Sequence, residues 1–273
     1  MLKPKRSWVC LSALFPRTVR SHARSLVGWG AGMVAYGSVM LALYPSVKGN
    51  ADFAKLLKSY PEALQKLFSL SDYTSPAGYL NAEIFSFMAP LLLGLFAVLL
   101  GADLLAGEEG RGTLEMLLAN PITRRRVFAE KWLALITMTA VVNACLGLVL
   151  GLGSPIVHLH IANGTLAGAI VAMTLLTCLF GTLSLALGAA TGRRGLSLGV
   201  TAVALVASYF VSALANLITW MSHVRPLSPW YQALGVDPLH HGLSLEHVTV
   251  LILLTIAFGL IGGWRFQRRD LGI

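Results

Sequence analysis

Long apolar runs limit the fold of this chain more than any other feature of its sequence. About 20 consecutive apolar residues in an α-helix cross a hydrocarbon core of roughly 30 Å. Such stretches predict six membrane-spanning helices, at residues 26–44, 84–105, 127–150, 165–190, 196–220 and 247–264. The predicted fold class is therefore all-α, a polytopic integral membrane protein with six transmembrane helices.

The composition agrees with burial in a bilayer. Hydrophobic residues make up 56% of the 273 residues and charged residues only 12%, whereas soluble domains contain about 25% charged residues. One water-soluble core could not hide this much apolar surface, so we exclude an ordinary soluble domain.

The positive charge is distributed unevenly between the two sides of the predicted bundle. An even number of spans puts both termini on one side, and by the positive-inside rule the basic side is cytosolic. That side would hold 16 of the 21 Lys and Arg residues, all except Lys48, Lys55, Lys58, Lys66 and Arg225. The net charge of +9 is therefore explained by topology and by contact with anionic membrane lipid, not by nucleic-acid binding.

The predicted domain organisation places the spans between two cytosolic ends. Residues 1–25 have apolar positions at helical spacing opposite arginines, which predicts an interfacial helix or, alternatively, a disordered basic tail. Residues 26–264 form the six-helix domain, with predicted external loops at 45–83 and 221–246 and a cytosolic segment at 107–126. The first loop contains an amphipathic stretch at 52–70, interpreted as a structural lid or a substrate gate. Residues 265–273 are a cytosolic tail.

Several kinds of chemistry are missing from the sequence. Ion-coupled carriers usually place ionisable residues within their spans, and none lies near a predicted span centre here. We find neither a clustered nucleophile and base nor a metal-ligand set at helical spacing. The phosphate-binding pattern G-x-x-x-x-G-K-[ST] does not occur. We therefore expect no enzyme activity, bound cofactor or metal in this chain, so active transport would need energy from another polypeptide.

Residues 107–126, here named the connecting segment, are the most informative part of the sequence. Thr113 is the predicted N-cap of a short helix, which should end near Ala119 because the residue before Pro121 avoids helical geometry. One face of this helix carries Leu114, Leu117 and Leu118. Two helical turns are not stable alone in water, so the apolar face implies a groove that it fills.

Either interfacial lipid or a cytosolic partner could supply that groove. The connecting segment also contains three glutamates, Glu108, Glu109 and Glu115. Carboxylates are repelled by anionic lipid headgroups, which favours a protein partner. The alternative is that these glutamates and Arg111 form only a solvated surface.

The connecting segment resembles the intracellular coupling helix of type-2 ATP-binding cassette (ABC) transporter permeases. The shared pattern is E-x-x-x-G-T-L-E-x-L-L-A-x-P-[IV]-[ST]-R, followed by a basic run and a lysine. It is carried by Glu108, Gly112, Thr113, Leu114, Glu115, Leu117, Leu118, Ala119, Pro121, Ile122, Thr123, Arg124 and Lys131. Further agreement occurs at residues 192–196, 228–231, 235–239 and 266–271, so the likeness covers nearly the whole chain.

This resemblance implies the permease subunit of an ABC transporter in a bacterial cytoplasmic membrane, with export as the expected direction. Two copies would pair as a homodimer, and each would bind a separate nucleotide-binding subunit that holds ATP and Mg. The leucines of the connecting segment would fill the partner's groove, and its glutamates would meet basic side chains. Arg193 and Arg194 would touch the same partner, although positive-inside anchoring explains them equally well.

Two asparagines within predicted spans, Asn143 and Asn216, are the candidate residues of a substrate path. The alternative is that they hydrogen-bond neighbouring helices, as polar residues in membrane spans often do. Two further classes stay open at this point: an ion-coupled secondary transporter and a membrane scaffold that transports nothing.

Overall fold

The computed structural model describes residues 14–48, 50, 59–61, 72–73, 75–159, 161–215, 217–218, 220–235 and 237–270. Its helices in chain order are α1 Leu14–Ser21, α2 Ala23–Val47, α3 Pro76–Gly110, α4 Thr113–Leu118, α5 Arg124–Gly153, α6 Asn163–Thr191, α7 Arg194–Leu214, α8 Met221–Val224, α9 Pro238–His241 and α10 Leu245–Arg268. Six of them (α2, α3, α5, α6, α7 and α10) are long and apolar enough to cross a membrane. The predicted all-α class with six transmembrane helices is confirmed.

Some helix ends differ from the predicted ones. Helix α3 starts at Pro76 instead of residue 84, because Ser75 caps it by accepting a hydrogen bond from the Gly78 backbone and proline suits the first helical turn. Helix α7 ends at Leu214, before the predicted end at residue 220. Apolar residues continue beyond Leu214, and apolarity alone does not show where a helix stops.

Two predicted surface elements lie partly outside the described residues. Of the predicted interfacial helix at 1–25, the structure describes α1, which packs against α5. Most of the amphipathic stretch at 52–70 lies outside the described residues, so its role as lid or gate stays a prediction.

Helix α3 contains two π-helical turns, Asn81–Phe85 and Asp103–Gly107. Such turns insert an extra residue into an α-helix and are frequent at functional sites. The second turn begins at Asp103 and leads into the connecting segment.

Helix α6 occupies the centre of the bundle, where it packs against α3, α5, α7 and α10. Small residues allow the close approach: a Cβ atom added at Gly101 of α3 would lie 2.3 Å from the carbonyl oxygen of Gly181 in α6. Ser184 of α6 also donates a hydrogen bond of 2.8 Å to the carbonyl of Val98. Close backbone contact through small residues is how helices commonly pack in membranes.

The two ends of the bundle differ in charge. One end carries the connecting segment, α1, the starts of α2 and α7, and the basic residues Arg111, Arg124, Arg125, Arg126, Arg193, Arg194, Arg265, Arg268 and Arg269. We name it the basic end, and the opposite end, which carries α8 and α9, the far end.

Candidate functional site

The connecting segment turns sharply at Gly112. This glycine has a φ of 70° in the left-handed region and immediately precedes α4, a conformation that glycine adopts without steric penalty. The prediction that Thr113 is the N-cap was wrong, because Thr113 is the first residue of α4. Its hydroxyl instead donates a hydrogen bond of 3.0 Å to the carbonyl of Glu108, which ties the turn to the end of α3.

The three leucines of α4 differ in burial. Leu114 is only 1% exposed, whereas Leu117 and Leu118 are partly buried and pack against the same apolar core. The chain itself therefore covers Leu114, because helical spacing identifies an apolar face but not what covers it. The docking role of the leucines stays a prediction. The outward side of α4 carries Glu115, which is exposed, and Met116, which is 72% exposed.

Glu108 forms an ion pair with a lysine inside the protein. Its carboxylate lies 2.6 Å from the ammonium of Lys131, whose side chain is 1% exposed, whereas that of Glu108 is 19% exposed. A buried ion pair of this kind is sensitive to the loss of either partner, because the other charge is then left without compensation. The pair fixes the start of the connecting segment to α5.

Glu109 holds the other side of the connecting segment. Its carboxylate forms an ion pair with Arg269, which also donates a 3.1 Å hydrogen bond to the carbonyl of Ala189 at the end of α6. Arg124, the first residue of α5, donates a 2.7 Å hydrogen bond to the Arg269 carbonyl. An arginine near a helix C-terminus satisfies carbonyls that have no partner within the helix. Arg269 therefore joins the connecting segment to α6, α5 and the end of α10.

Asp103 forms contacts with basic side chains from three places in the chain. Arg111 binds both of its carboxylate oxygens at 3.0 and 3.2 Å, and Arg194 at the start of α7 approaches to 3.2 Å. His22, between α1 and α2, lies at 3.5 Å. The hydrogen bond to Asp103 raises the pKa of His22 above its ordinary value of 6.5, although burial opposes this shift. The contact therefore favours a charged imidazole.

The sequence-predicted site residues divide into two groups. Glu108, Glu109 and Arg194 form separate ion pairs at the basic end, with Lys131, Arg269 and Asp103 respectively. Glu115 and Arg193 are exposed at the same end. Sequence analysis did not identify Asp103, Lys131 and Arg269 as partners of the connecting segment, because they lie in three separate parts of the chain. A carboxylate at the end of an apolar span was the one available signal for Asp103.

Asn143 takes no part in the ion pairs of the basic end that are described above. It is fully buried, and its amide donates to the Thr139 carbonyl at 2.9 Å and to the Thr177 hydroxyl of α6 at 3.2 Å. This geometry corresponds to the hydrogen-bonding alternative, while a role in a substrate path stays a prediction. Asn216 lies outside the described residues.

A known protein family matches nearly the whole chain. The model of the family described as "ABC-2 family transporter protein" matches residues 5–271. The chain belongs to this family. Together with the six apolar helices, membership of the ABC-2 family identifies a multi-pass membrane protein.

Two relatives show how far the likeness extends. A Pseudomonas aeruginosa protein described as "Probable ABC transporter permease protein NosY" is 30% identical over 170 residues, which cover 58% of this chain and 61% of that protein. The Bacillus subtilis "Uncharacterized protein YhcI" is 24% identical over 264 residues, covering 81% of this chain and 82% of YhcI. The match to NosY thus spans less than two thirds of its length.

Proposed function

We propose that this chain is the permease subunit of an ABC transporter and that its connecting segment docks onto a separate ATP-hydrolysing subunit. The family match over residues 5–271 carries this proposal, and the description of NosY as a probable ABC transporter permease supports it. Six apolar helices supply the membrane domain that the role needs.

The outward side of α4 is the proposed contact surface. Met116 is 72% exposed at the centre of this surface, and Glu115 beside it is exposed and negatively charged. A long, flexible methionine side chain fits an apolar pocket of a partner, and a carboxylate fits a basic rim. The inward residues Leu114, Leu117 and Leu118 would support this surface from behind, and Arg193 and Arg194 would extend it.

The ion pairs would carry movement from α4 to the spans. Gly112, Thr113 and Glu108 link α4 to the end of α3. The Glu108–Lys131 pair then leads to α5 and the Glu109–Arg269 pair to α6 and α10. Because these contacts are short and partly buried, a push on α4 would displace several spans together.

The remaining parts of the proposal follow from the family and from the charge distribution. The basic end would face the cytosol of a bacterial cell, as the positive-inside rule requires. Two copies would form a homodimer with two ATPase subunits, which would hold ATP and Mg. Export is the proposed direction, and the substrate path would run between the spans near Asn143.

The proposal is tested by replacing Met116 with aspartate. The tagged chain is purified from its native host in mild detergent, and the ATPase that co-purifies is identified by mass spectrometry and quantified. Met116→Asp should lower the recovered ATPase about tenfold, which corresponds to about 1.4 kcal/mol, because it would place an unpaired charge in an apolar contact. Leu227→Asp is the matched control, because Leu227 is 78% exposed at the far end, and it should leave recovery unchanged.

Three results would contradict the proposal. Equal ATPase recovery with Met116→Asp and with Leu227→Asp would refute α4 as the contact. Transport by the purified chain alone in liposomes, driven by an ion gradient without ATP, would identify an ion-coupled secondary transporter. Absence of any co-purifying ATPase and of any transport defect after deletion would leave a membrane scaffold.

A further inference from the structure

A cavity with charged side chains in its lining lies at the basic end between α1, α3, α4 and α5. Its volume is about 470 Å³. Four basic side chains and two carboxylates line it, namely Arg17, His22, Arg111 and Lys131 with Asp103 and Glu108. The basic groups outnumber the carboxylates even when His22 is neutral, so the cavity has an excess of positive charge. Such a cavity suits an anionic group.

Two of its cations have capacity for a ligand. The ammonium of Lys131 has three donor hydrogens, and within the described residues its ion-pair partner is Glu108 at 2.6 Å. Arg17 is exposed on α1, and a guanidinium binds phosphate oxygens through two parallel hydrogen bonds. A phosphodiester would suit both cations, because its single negative charge is shared by two oxygens that each accept hydrogen bonds.

A separate apolar groove lies between α2 and α3. It has a volume of about 520 Å³, and Gly28, Trp29, Gly32 and Leu92 line it together with Ser25 and Met33. A Cβ atom added at Gly28 or Gly32 would meet nothing within 4 Å, so there is open space above these glycines. The groove therefore has room for an apolar chain.

Two helices lead from the cavity to the groove. The cavity residue His22 directly precedes α2, and the groove residues Ser25, Gly28 and Gly32 follow one another along that helix at spacings of three or four, which puts them on one of its faces. Gly32 lies about 15 Å from His22 along α2, and Leu92 lies about 16 Å from Asp103 along α3. The contact of Trp29 with Phe96, at a ring-centroid distance of 5.6 Å, holds the two helices together between these levels.

We propose that the cavity and the groove together bind one anionic phospholipid, with its phosphodiester near Arg17 and Lys131 and an acyl chain along Gly28 and Gly32. Free phosphate would occupy only the cavity, and a helix from a second copy would occupy only the groove. A phospholipid matches both the excess positive charge of the cavity and the apolar lining of the groove. This proposal does not depend on ATPase docking.

The test measures lipid binding to the full-length chain, in whatever complex it purifies with, by native mass spectrometry. The probes are dioleoyl phosphatidylglycerol, dioleoyl phosphatidylcholine and millimolar inorganic phosphate. Phosphatidylglycerol should bind at least about fivefold more tightly than phosphatidylcholine, as expected for each basic residue near an anionic headgroup. Inorganic phosphate should not displace it at millimolar concentration.

Two variants examine the two halves of the site. Arg17→Glu should lower phosphatidylglycerol binding at least about fivefold. Arg20→Glu is its control and should have little effect, because Arg20 is also exposed on α1 but does not line the cavity.

The groove is tested separately. Gly28→Leu combined with Gly32→Leu should weaken binding of both lipids by filling the groove. Gly199→Leu, also at a position with open space, is its control. Unchanged elution volume and unfolding temperature would show that each variant is folded.

Several results would overturn the proposal. Equal binding of the two lipids, or equal effects of Arg17→Glu and Arg20→Glu, would exclude headgroup recognition. Displacement of phosphatidylglycerol by inorganic phosphate, with no effect of the glycine variants, would assign the cavity to a free anion. Dissociation of a dimer by the glycine variants, with lipid binding unchanged, would assign the groove to a second copy of the chain.

Discussion

The buried pair between Glu108 and Lys131 gives the sharpest test of how the connecting segment is held. Glu108→Gln removes the negative charge while keeping the shape of the side chain. The ammonium of Lys131 would then remain 1% exposed without its partner. Removing one member of a buried ion pair costs about 3–5 kcal/mol, so we expect Glu108→Gln to destabilise the protein by an amount in that range.

The two partners should respond unequally. The carboxylate of Glu108 is 19% exposed, so water can solvate it when Lys131 is replaced by methionine. Lys131→Met should therefore cost about 1–3 kcal/mol. The double variant has neither charge, and well-packed replacements of buried ion pairs are often close to neutral. It should be more stable than Glu108→Gln alone, which corresponds to a favourable coupling between the two residues.

Thermal unfolding in detergent, followed by tryptophan fluorescence, measures these differences. For a chain of this size the loss in Glu108→Gln corresponds to a lower unfolding temperature by on the order of 10 °C. Glu115→Gln is the matched control, because Glu115 is an exposed glutamate of the same segment, and it should unfold like wild type. An unchanged unfolding temperature in Glu108→Gln, or a double variant less stable than both single variants, would refute the reasoning.

Two further predictions concern helix packing and pH. Gly101→Ala should destabilise the protein by about 1–3 kcal/mol, because the added Cβ atom would lie 2.3 Å from the Gly181 carbonyl oxygen. A Cβ atom at Gly195 would meet nothing within 4 Å, so the control variant Gly195→Ala should be tolerated. Thermal unfolding compares the two variants. His22 has a pKa raised above 6.5 by Asp103, so its contribution to stability is complete below pH 6.5 and is lost as pH rises through the raised pKa. Wild type should therefore be more stable than His22→Gln under acidic conditions. Unfolding measurements should show that this difference in stability shrinks toward alkaline pH. A difference that stays constant with pH would contradict the prediction.

The membrane-spanning helices could be predicted because the bilayer imposes a length and a composition on each of them. Backbone groups within the hydrocarbon must be hydrogen-bonded inside the same helix, so an apolar run of sufficient length implies a helix. The helix ends follow less directly from the sequence. The start of α3 depends on the N-cap contact of Ser75, and the end of α7 at Leu214 lies within an apolar run.

The connecting segment shows where sequence reasoning succeeded and where it stopped. Its short helix and its apolar face were correctly located, since both follow from local spacing. The sequence predicts that a partner covers the apolar face of α4, but Leu114 packs into the chain's own core. Spacing along a helix contains no information about which distant element comes to cover it.

The sequence by itself determined the fold class, the number of spans and the family, because these depend on local hydrophobicity and on motifs read in order. Only the tertiary structure decided which charges meet. Asp103 contacts His22 and Arg194, and Glu109 contacts Arg269, although the partners are far apart in the chain. The physical reason is that an ion pair depends on separation in space, and packing of the helices around α6 sets that separation.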